Sequence, residues 1–128
     1  MQDIKQNLAN AVREARTELG LSQEKLAEGI YDLWIETGLA KEAGAGQFIG
    51  VYPKNAATLL PRPISICEVN EERMALRLAY RVAGKGTGEF SAMKTGETLH
   101  IVGPLGNGFP KKEKKAFLIG GGIGIPPM

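Results

Sequence analysis

The sequence predicts a mainly β protein, an antiparallel sandwich or barrel of short strands. Apolar and polar residues alternate in several short segments, which is typical of strands that bury one face. Seventeen glycines favour a fold rich in turns. The turn-forming residues separate the alternating segments at the spacing seen in all-β sandwiches and barrels.

The first predicted element is a helix over residues 3–19, where apolar residues recur at helical spacing. Its apolar stripe is rich in alanine, so the helix needs a partner surface to be stable. Alternation then predicts strands over residues 31–36, 47–52, 61–69, 76–82 and 99–102. Pro63 confines its strand to an edge or a bulge, because proline donates no ladder hydrogen bond. Residues 84–88 are expected to form a flexible loop, and residues 90–94 a short helical turn.

The C-terminal part has the pattern of a nucleotide-binding unit. Lys111–Lys115 form a charged linker, and Ala116–Ile119 are continuously apolar, as in a buried parallel strand. Gly120–Gly124 follow directly, and a strand followed by Gly-x-Gly opens a nucleotide-binding βα unit. We therefore expect a helical extension over residues 1–20, a β domain over 21–112 and the start of a nucleotide-binding domain over 113–128.

Composition excludes several classes of function. The net charge of +2 is too small to imply a nucleic acid or an anionic membrane as partner. A single cysteine, Cys67, excludes an internal disulfide and an iron–sulfur site held by cysteines alone. No apolar run approaches the roughly 18 residues of a membrane span. Cys67 and the single histidine, His100, are interpreted as structural, no metal site is predicted, and a cytoplasmic location is expected.

Two segments carry residues suited to a phosphate group. Arg62 offers a planar set of donors that matches a phosphate, and Ser65 adds a hydroxyl group three residues later. Lys85 to Thr87 follow a strand in a glycine-rich segment, where backbone N–H groups are able to bind a phosphate. Taken alone, the first segment is more often an edge strand with an exposed arginine, and the second is more often a plain hairpin loop.

The order and spacing of three motifs resemble the flavin-binding barrel of the ferredoxin-reductase-like oxidoreductases, and above all the electron-transfer subunits of bacterial dihydroorotate dehydrogenase. The resemblance runs from about residue 21 to residue 128 and implies a six-stranded antiparallel barrel that binds FAD. Arg62 would meet the pyrophosphate and Ser65 would lie near the isoalloxazine, while Gly103–Phe109 would close the barrel as a structural motif. The cofactor-binding residues implied are Arg62, Pro63, Ile64, Ser65, Ala79, Tyr80, Arg81, Gly86 and Thr87.

The resemblance implies electron transfer between a catalytic flavoprotein and NAD+ in pyrimidine biosynthesis. The partner would be the catalytic dihydroorotate dehydrogenase subunit, in a heterotetramer. NAD(H) and a [2Fe–2S] centre are expected only in a full-length relative, and this chain is expected to be a truncated form without complete activity and without a catalytic residue of its own. The alternatives are a subunit of a related NAD(P)H–ferredoxin or sulfide oxidoreductase, and a non-functional truncated product.

Residues 13–28 resemble a different structure, the opening of the phage-repressor-like helix-turn-helix domains. A DNA-binding protein of that kind would have a further helix at about residues 31–42, which the alternation of residues 31–36 argues against. We expect instead that a helix replaces the first strand of the barrel. The barrel would then have an open edge.

Overall fold

The computed structural model describes residues 21–55 and 57–128. The helix predicted over residues 3–19 lies outside this part of the chain. Six strands form one antiparallel sheet in the order β1-β2-β5-β4-β3-β6. They are β1 (Leu21–Ala27), β2 (Ile30–Glu36), β3 (Phe48–Tyr52), β4 (Arg62–Asn70), β5 (Ala75–Arg81) and β6 (His100–Leu105).

Three short helices accompany the sheet. Helix α1 (Lys85–Ser91) connects β5 to β6, and 3-10 helices occupy Gly38–Lys41 and Gly122–Gly124. No helix in residues 21–55 and 57–128 is long and apolar enough to span a membrane.

The predicted six-stranded antiparallel fold is confirmed, and the five strands predicted from alternation, β2 to β6, lie close to their predicted bounds. No ladder joins β1 to β6 within the described ranges, so the sheet is open at these two edges and does not close into a barrel. Pro63 lies in β4 where only β3 pairs with it, as its missing N–H group requires.

The expected replacement of the first strand by a helix is wrong. Residues 21–27 form β1, which pairs with β2 from Leu21 opposite Ile35 to Ala27 opposite Ile30. Gly29 makes the tight turn between them at a φ of 67°, where a side chain would be strained. Strand pairing thus overrides the helix-like composition of Ser22–Glu28, and β2 occupies the place of the helix that a DNA-binding domain would need.

The core is filled by the inward-facing residues of the strands and by one aromatic residue of α1. Phe90 is 1% exposed and meets the ring of Tyr80 edge-on, with ring centroids 6.3 Å apart. The other large, fully buried side chains come from the strands and the first 3-10 helix: Leu33, Ile35, Leu39, Ile49, Val51, Leu76, Leu78 and Ile101. The alternation of apolar and polar residues in the sequence therefore corresponds to the buried and exposed faces of each strand.

One ion pair lies on the opposite face of the sheet, between β2 and β5. Asp32 is buried although its position alternates with the core residues, and its Oδ1 atom lies 2.7 Å from Nε of Arg77. The hydrogen bond to Asp32 raises the pKa of Arg77, so this guanidinium stays charged. Arg77 also reaches Glu68 at 3.3 Å and stacks on the ring of Trp34. A buried carboxylate is tolerated here because it has a charged partner.

Two local expectations are wrong. Residues 84–88 were expected to form a flexible loop, but α1 begins at Lys85 because the Thr87 hydroxyl accepts hydrogen bonds from the N–H groups of Ala83 and Gly84. Residues 116–119 were expected to form a buried strand, but they are irregular, and Phe117 is 95% exposed. A parallel strand needs a hydrogen-bonded neighbour, and no strand of the described ranges pairs with this segment.

We expect Leu78→Ala to lower the free energy of unfolding by about 2–5 kcal/mol, since it removes a fully buried side chain and leaves a cavity. The matched control is Leu59→Ala, which shortens a side chain that is 82% exposed. The control should change the unfolding free energy by no more than about 0.5 kcal/mol. Denaturant unfolding measures both, and equal losses in the two variants would contradict the assigned core.

Candidate functional site

Seven of the nine predicted site residues lie on β4 and β5, near the point where these strands separate, and Gly86 and Thr87 lie on α1. The ladder between these strands runs from Asn70 opposite Ala75 to Ile66 opposite Leu78 and ends there. Upstream of Ile66, β4 pairs with β3, and downstream of Leu78, β5 pairs with β2. Because the strands are antiparallel, residues 62–65 and 79–81 face each other across the resulting gap, which we call the β4–β5 opening.

The predicted residues divide between the two faces of the strands at this opening. Ser65 and Arg81 are exposed and Ala79 is half-buried, so these three are accessible from outside. Ile64 and Tyr80 are buried in the core, and their side chains therefore offer packing, with only their backbone groups near the opening. Pro63 is exposed opposite Gly50 of β3.

Helix α1 brings Gly86 directly onto Arg62. A Cβ atom at Gly86 would lie 2.7 Å from Nε of Arg62, 3.2 Å from its Cγ and 3.3 Å from Cγ of Pro53. Only a glycine leaves room for this approach, so the first turn of α1 and the start of β4 form one surface. The structure thereby joins two motifs that are more than twenty residues apart in the sequence.

Arg62 and Lys85 line one cleft of 510 Å3 beside this contact, together with Ala57, Thr58, Leu59 and Leu60. The side chain of Arg62 donates a hydrogen bond to the carbonyl oxygen of Leu60 at 3.3 Å, which leaves most of its donors available. No carboxylate belongs to the lining residues of this cleft. Two cations beside apolar side chains are suited to a ligand that carries phosphate groups.

The loop after β3 is attached to α1 by Glu89. Its carboxylate accepts hydrogen bonds from the backbone N–H groups of Lys54, at 2.8 Å, and Asn55, at 3.0 Å. The loop after β3 is therefore connected to the same helix that carries Lys85 and Gly86. Glu89 did not stand out in the sequence, since an exposed glutamate beside glycines has no distinguishing pattern.

Thr87 and Tyr80 both make hydrogen bonds inside the protein. The Thr87 hydroxyl accepts hydrogen bonds from the N–H groups of Ala83 and Gly84, so it orders the start of α1. The Tyr80 hydroxyl donates to Oε1 of Gln23 at 2.7 Å inside the protein. Burial raises the pKa of Tyr80, and the nearby hydroxyl of Tyr31 adds to the shift, so Tyr80 stays protonated. Gln23 was not predicted to have any role.

Cys67 lies at an irregularity in β4, between Ile66 and Glu68. It is half-buried and lines a cavity of 220 Å3 next to Glu68 and Glu71. Burial raises the pKa of its thiol, so the reactive thiolate is disfavoured. The part of the chain that the structure describes contains no cluster of metal-ligating side chains.

Sequence comparison relates the chain to a group of bacterial electron-transfer subunits. The dihydroorotate dehydrogenase B (NAD(+)) electron transfer subunit of Streptococcus mutans is 40% identical over 112 residues, or 84% of this chain. The corresponding subunit of Enterococcus faecalis is 46% identical over 113 residues. The chain spans 43% of the length of each of these relatives. No protein-family model matches the sequence.

Solved structures share the fold. An NADH-dependent reduced ferredoxin-NADP oxidoreductase has a TM-score of 0.67 at 32% identity, over 73% of this chain and 34% of the other. Phthalate dioxygenase reductase has a TM-score of 0.67 at 26% identity, over 85% and 36%. The predicted resemblance to the ferredoxin-reductase-like oxidoreductases and to the dihydroorotate dehydrogenase electron-transfer subunits is therefore confirmed.

We expect Gly86→Ala to displace Arg62, because the added methyl group would overlap its Nε atom. Gly88→Ala is the control in the same helix, since its nearest neighbour would be Cγ1 of Val82 at 4.0 Å. The control should gain up to about 1 kcal/mol of stability from the better helix propensity of alanine. Gly86→Ala should lose that gain and shift the Arg62 Nε–H resonance in NMR spectra. Equal stability of the two variants with an unmoved Arg62 resonance would contradict the contact.

The raised pKa of Tyr80 predicts a loss of stability in alkali. An unfolded tyrosine releases its proton near pH 10, at about its ordinary pKa, whereas the buried Tyr80 retains it. The folded state then binds more protons than the unfolded state, so the free energy of unfolding falls as pH rises above that value. Tyr80→Phe should show a shallower fall in denaturant unfolding measured at neutral and at alkaline pH. The same slope in both proteins would refute the assignment.

Proposed function

We propose that this chain, which is related over 84% of its length to part of the dihydroorotate dehydrogenase B electron transfer subunits, is an FAD-binding module for electron transfer. The observation that carries the proposal is the placement of Arg62 and Lys85 on one cleft, with Gly86 packed against Arg62, at the edge of the β4–β5 opening. This is the place where the family resemblance puts the FAD pyrophosphate.

The residues around the cleft fit a dinucleotide. A pyrophosphate needs cationic or N–H donors, and the cleft offers the planar guanidinium of Arg62 and the ammonium group of Lys85. Among the described residues, the lining of the cleft contains no carboxylate. The missing Cβ of Gly86 provides the room that brings the helix against Arg62. Charge and shape therefore both support a phosphate ligand here.

The flavin ring would occupy the β4–β5 opening next to the phosphate cleft. Residues 62–65 use one edge for β3 and residues 79–81 use one edge for β2, so their other edges face the opening without a ladder partner. Backbone N–H and C=O groups at those edges, together with the exposed hydroxyl of Ser65, would hydrogen-bond the polar edge of the ring. FAD, when bound, supplies the redox chemistry, and this chain binds it, orients it and neutralises its charge.

We assign the complete electron-transfer reaction to longer proteins of the kind that these relatives are. There, electrons would pass between a catalytic dihydroorotate dehydrogenase subunit and NAD+ in pyrimidine biosynthesis, through FAD and a [2Fe–2S] centre. A heterotetramer with the catalytic subunit and a location in the cytoplasm belong to the same proposal. These assignments rest on the sequence similarity between this chain and the corresponding part of those subunits.

A second candidate is the same module in an NAD(P)H–ferredoxin or sulfide oxidoreductase. The 32% identity to the NADH-dependent reduced ferredoxin-NADP oxidoreductase favours it. Both candidates require FAD at the β4–β5 opening and differ only in the electron donor and acceptor. The higher identity to the dihydroorotate dehydrogenase subunits, up to 46%, favours the first candidate.

Flavin binding by the purified chain is the direct test of the proposal. The visible absorbance spectrum should show a bound flavin, or one taken up from added FAD, and the cofactor released by denaturation should be FAD and not FMN. A folded chain that remains colourless in excess FAD would contradict the proposed function.

Arg62→Ala should weaken FAD binding by about 1.5–3 kcal/mol, the range for a hydrogen bond to a charged group. Titration followed by flavin fluorescence measures the dissociation constant. Arg73→Ala is the control, since Arg73 lies in the turn between β4 and β5, at the closed end of the hairpin. It makes the same change of charge away from the opening and should leave the dissociation constant unchanged. Similar losses in both variants would count against a specific role for Arg62.

A further inference from the structure

The carboxyl end of α1 is held by a side chain from the edge strand β1. Nε2 of Gln23 lies 3.2 Å from the carbonyl oxygens of Phe90 and Ser91, and 3.4 Å from that of Met93. The last carbonyl groups of a helix lack the N–H partners of its interior, and that of Phe90 also accepts from the N–H group of Met93 at 3.1 Å. Gln23 supplies hydrogen-bond donors to this end of α1 from a residue 67 positions away in the chain.

The oxygen atom of the Gln23 side-chain amide is fixed as well. Oε1 of Gln23 accepts a hydrogen bond of 2.7 Å from the hydroxyl of Tyr80, which is 4% exposed. Tyr80 in turn stacks on Tyr31 with ring centroids 5.8 Å apart. This packing sets the orientation of the Gln23 amide, with its oxygen toward the core and its nitrogen toward α1.

A short helix depends on such contacts for its position. Seven residues are too few for a helix to be stable alone, so α1 is held by its surroundings. Its length of roughly 10 Å makes it a single rigid unit, so a shift at one end moves the other. Phe90 and Gln23 hold the carboxyl end, while Lys85 and Gly86 at the amino end meet Arg62 and the cleft.

We propose that Gln23 is a positioning residue for the phosphate-binding cleft. By donating to the carbonyl groups at the end of α1, it sets where Gly86 packs on Arg62 and where Lys85 enters the cleft. The inference rests on the proposed function, since it gives Gln23 an indirect part in FAD binding. Gln23 is half-buried on the inner side of β1 and makes no contact with the cleft itself.

Two substitutions separate the donor role of Gln23 from its acceptor role. Gln23→Lys keeps a donor for the carbonyl groups of α1 but cannot accept from Tyr80. Gln23→Glu keeps the acceptor for Tyr80 but loses the donors, and it places a negative charge at the unfavourable end of the helix dipole. If Gln23 serves only to accept the hydrogen bond from Tyr80, Gln23→Lys should bind FAD more weakly than Gln23→Glu. If Gln23 positions α1, Gln23→Glu should bind FAD more weakly than Gln23→Lys.

The experiment measures FAD affinity and unfolding temperature for the full chain and both variants. We expect Gln23→Lys to keep its FAD dissociation constant within about threefold, although its stability falls because Tyr80 loses its acceptor. We expect Gln23→Glu to bind FAD about tenfold more weakly or worse, as the loss of one to two hydrogen bonds would give. Hydrogen exchange of the α1 amides without flavin should be faster in Gln23→Glu than in Gln23→Lys.

Each outcome decides the assignment. Equal FAD affinity in the two variants, or weaker binding by Gln23→Lys, overturns the positioning role while leaving the proposed function intact. Failure of the unaltered chain to bind FAD overturns the proposed function itself. If Gln23→Glu does not fold, Gln23→Met takes its place, since methionine has a similar length but no donor and no charge, and the same comparison with Gln23→Lys applies.

Discussion

The site depends on one constraint, the sharing of β4 between two ladders. Its first half pairs with β3 on one edge and its second half with β5 on the other, and the β4–β5 ladder ends at Ile66 and Leu78. The separation leaves backbone groups of both strands without ladder partners at the same place. A continuous sheet would have no such opening, and Arg62 and Ser65 would then lie on an ordinary strand face.

Helix α1 completes this opening, and its position is a consequence of tertiary contacts. Phe90 packs in the core, Glu89 holds the loop after β3, Gln23 holds the carboxyl end and Gly86 meets Arg62. None of these contacts is local in sequence. The position of the helix at the cleft therefore depends on contacts with the edge strand β1, with the core and with the loop after β3.

Buried polar groups in this fold are satisfied by residues from other strands. Asp32 of β2 is paired with Arg77 of β5, and Tyr80 of β5 is paired with Gln23 of β1. Within the described ranges, no buried side-chain nitrogen or oxygen lacks a hydrogen-bond partner. The Asp32–Arg77 pair fixes the register of β2 and β5 on the outer face of the sheet. The Tyr80–Gln23 pair links β5 to β1 on the core face.

The sequence by itself determined the strands from β2 to β6 and their buried faces, because the alternation of apolar and polar residues is a local property of the chain. The spacing of the motifs that contain Arg62, Gly86 and Thr87 likewise indicated the family resemblance, because spacing can be read along a single chain. The tertiary structure decided the rest. Residues 21–27 form a strand because β2 pairs with them, whereas no strand of the described ranges pairs with residues 116–119. The start of α1 is set locally by the Thr87 hydroxyl, but its position is set by the distant contacts of Phe90 and Glu89. Gln23 and Glu89 gained their roles in the same way, since a hydrogen bond between residues far apart in sequence leaves no pattern in a single chain.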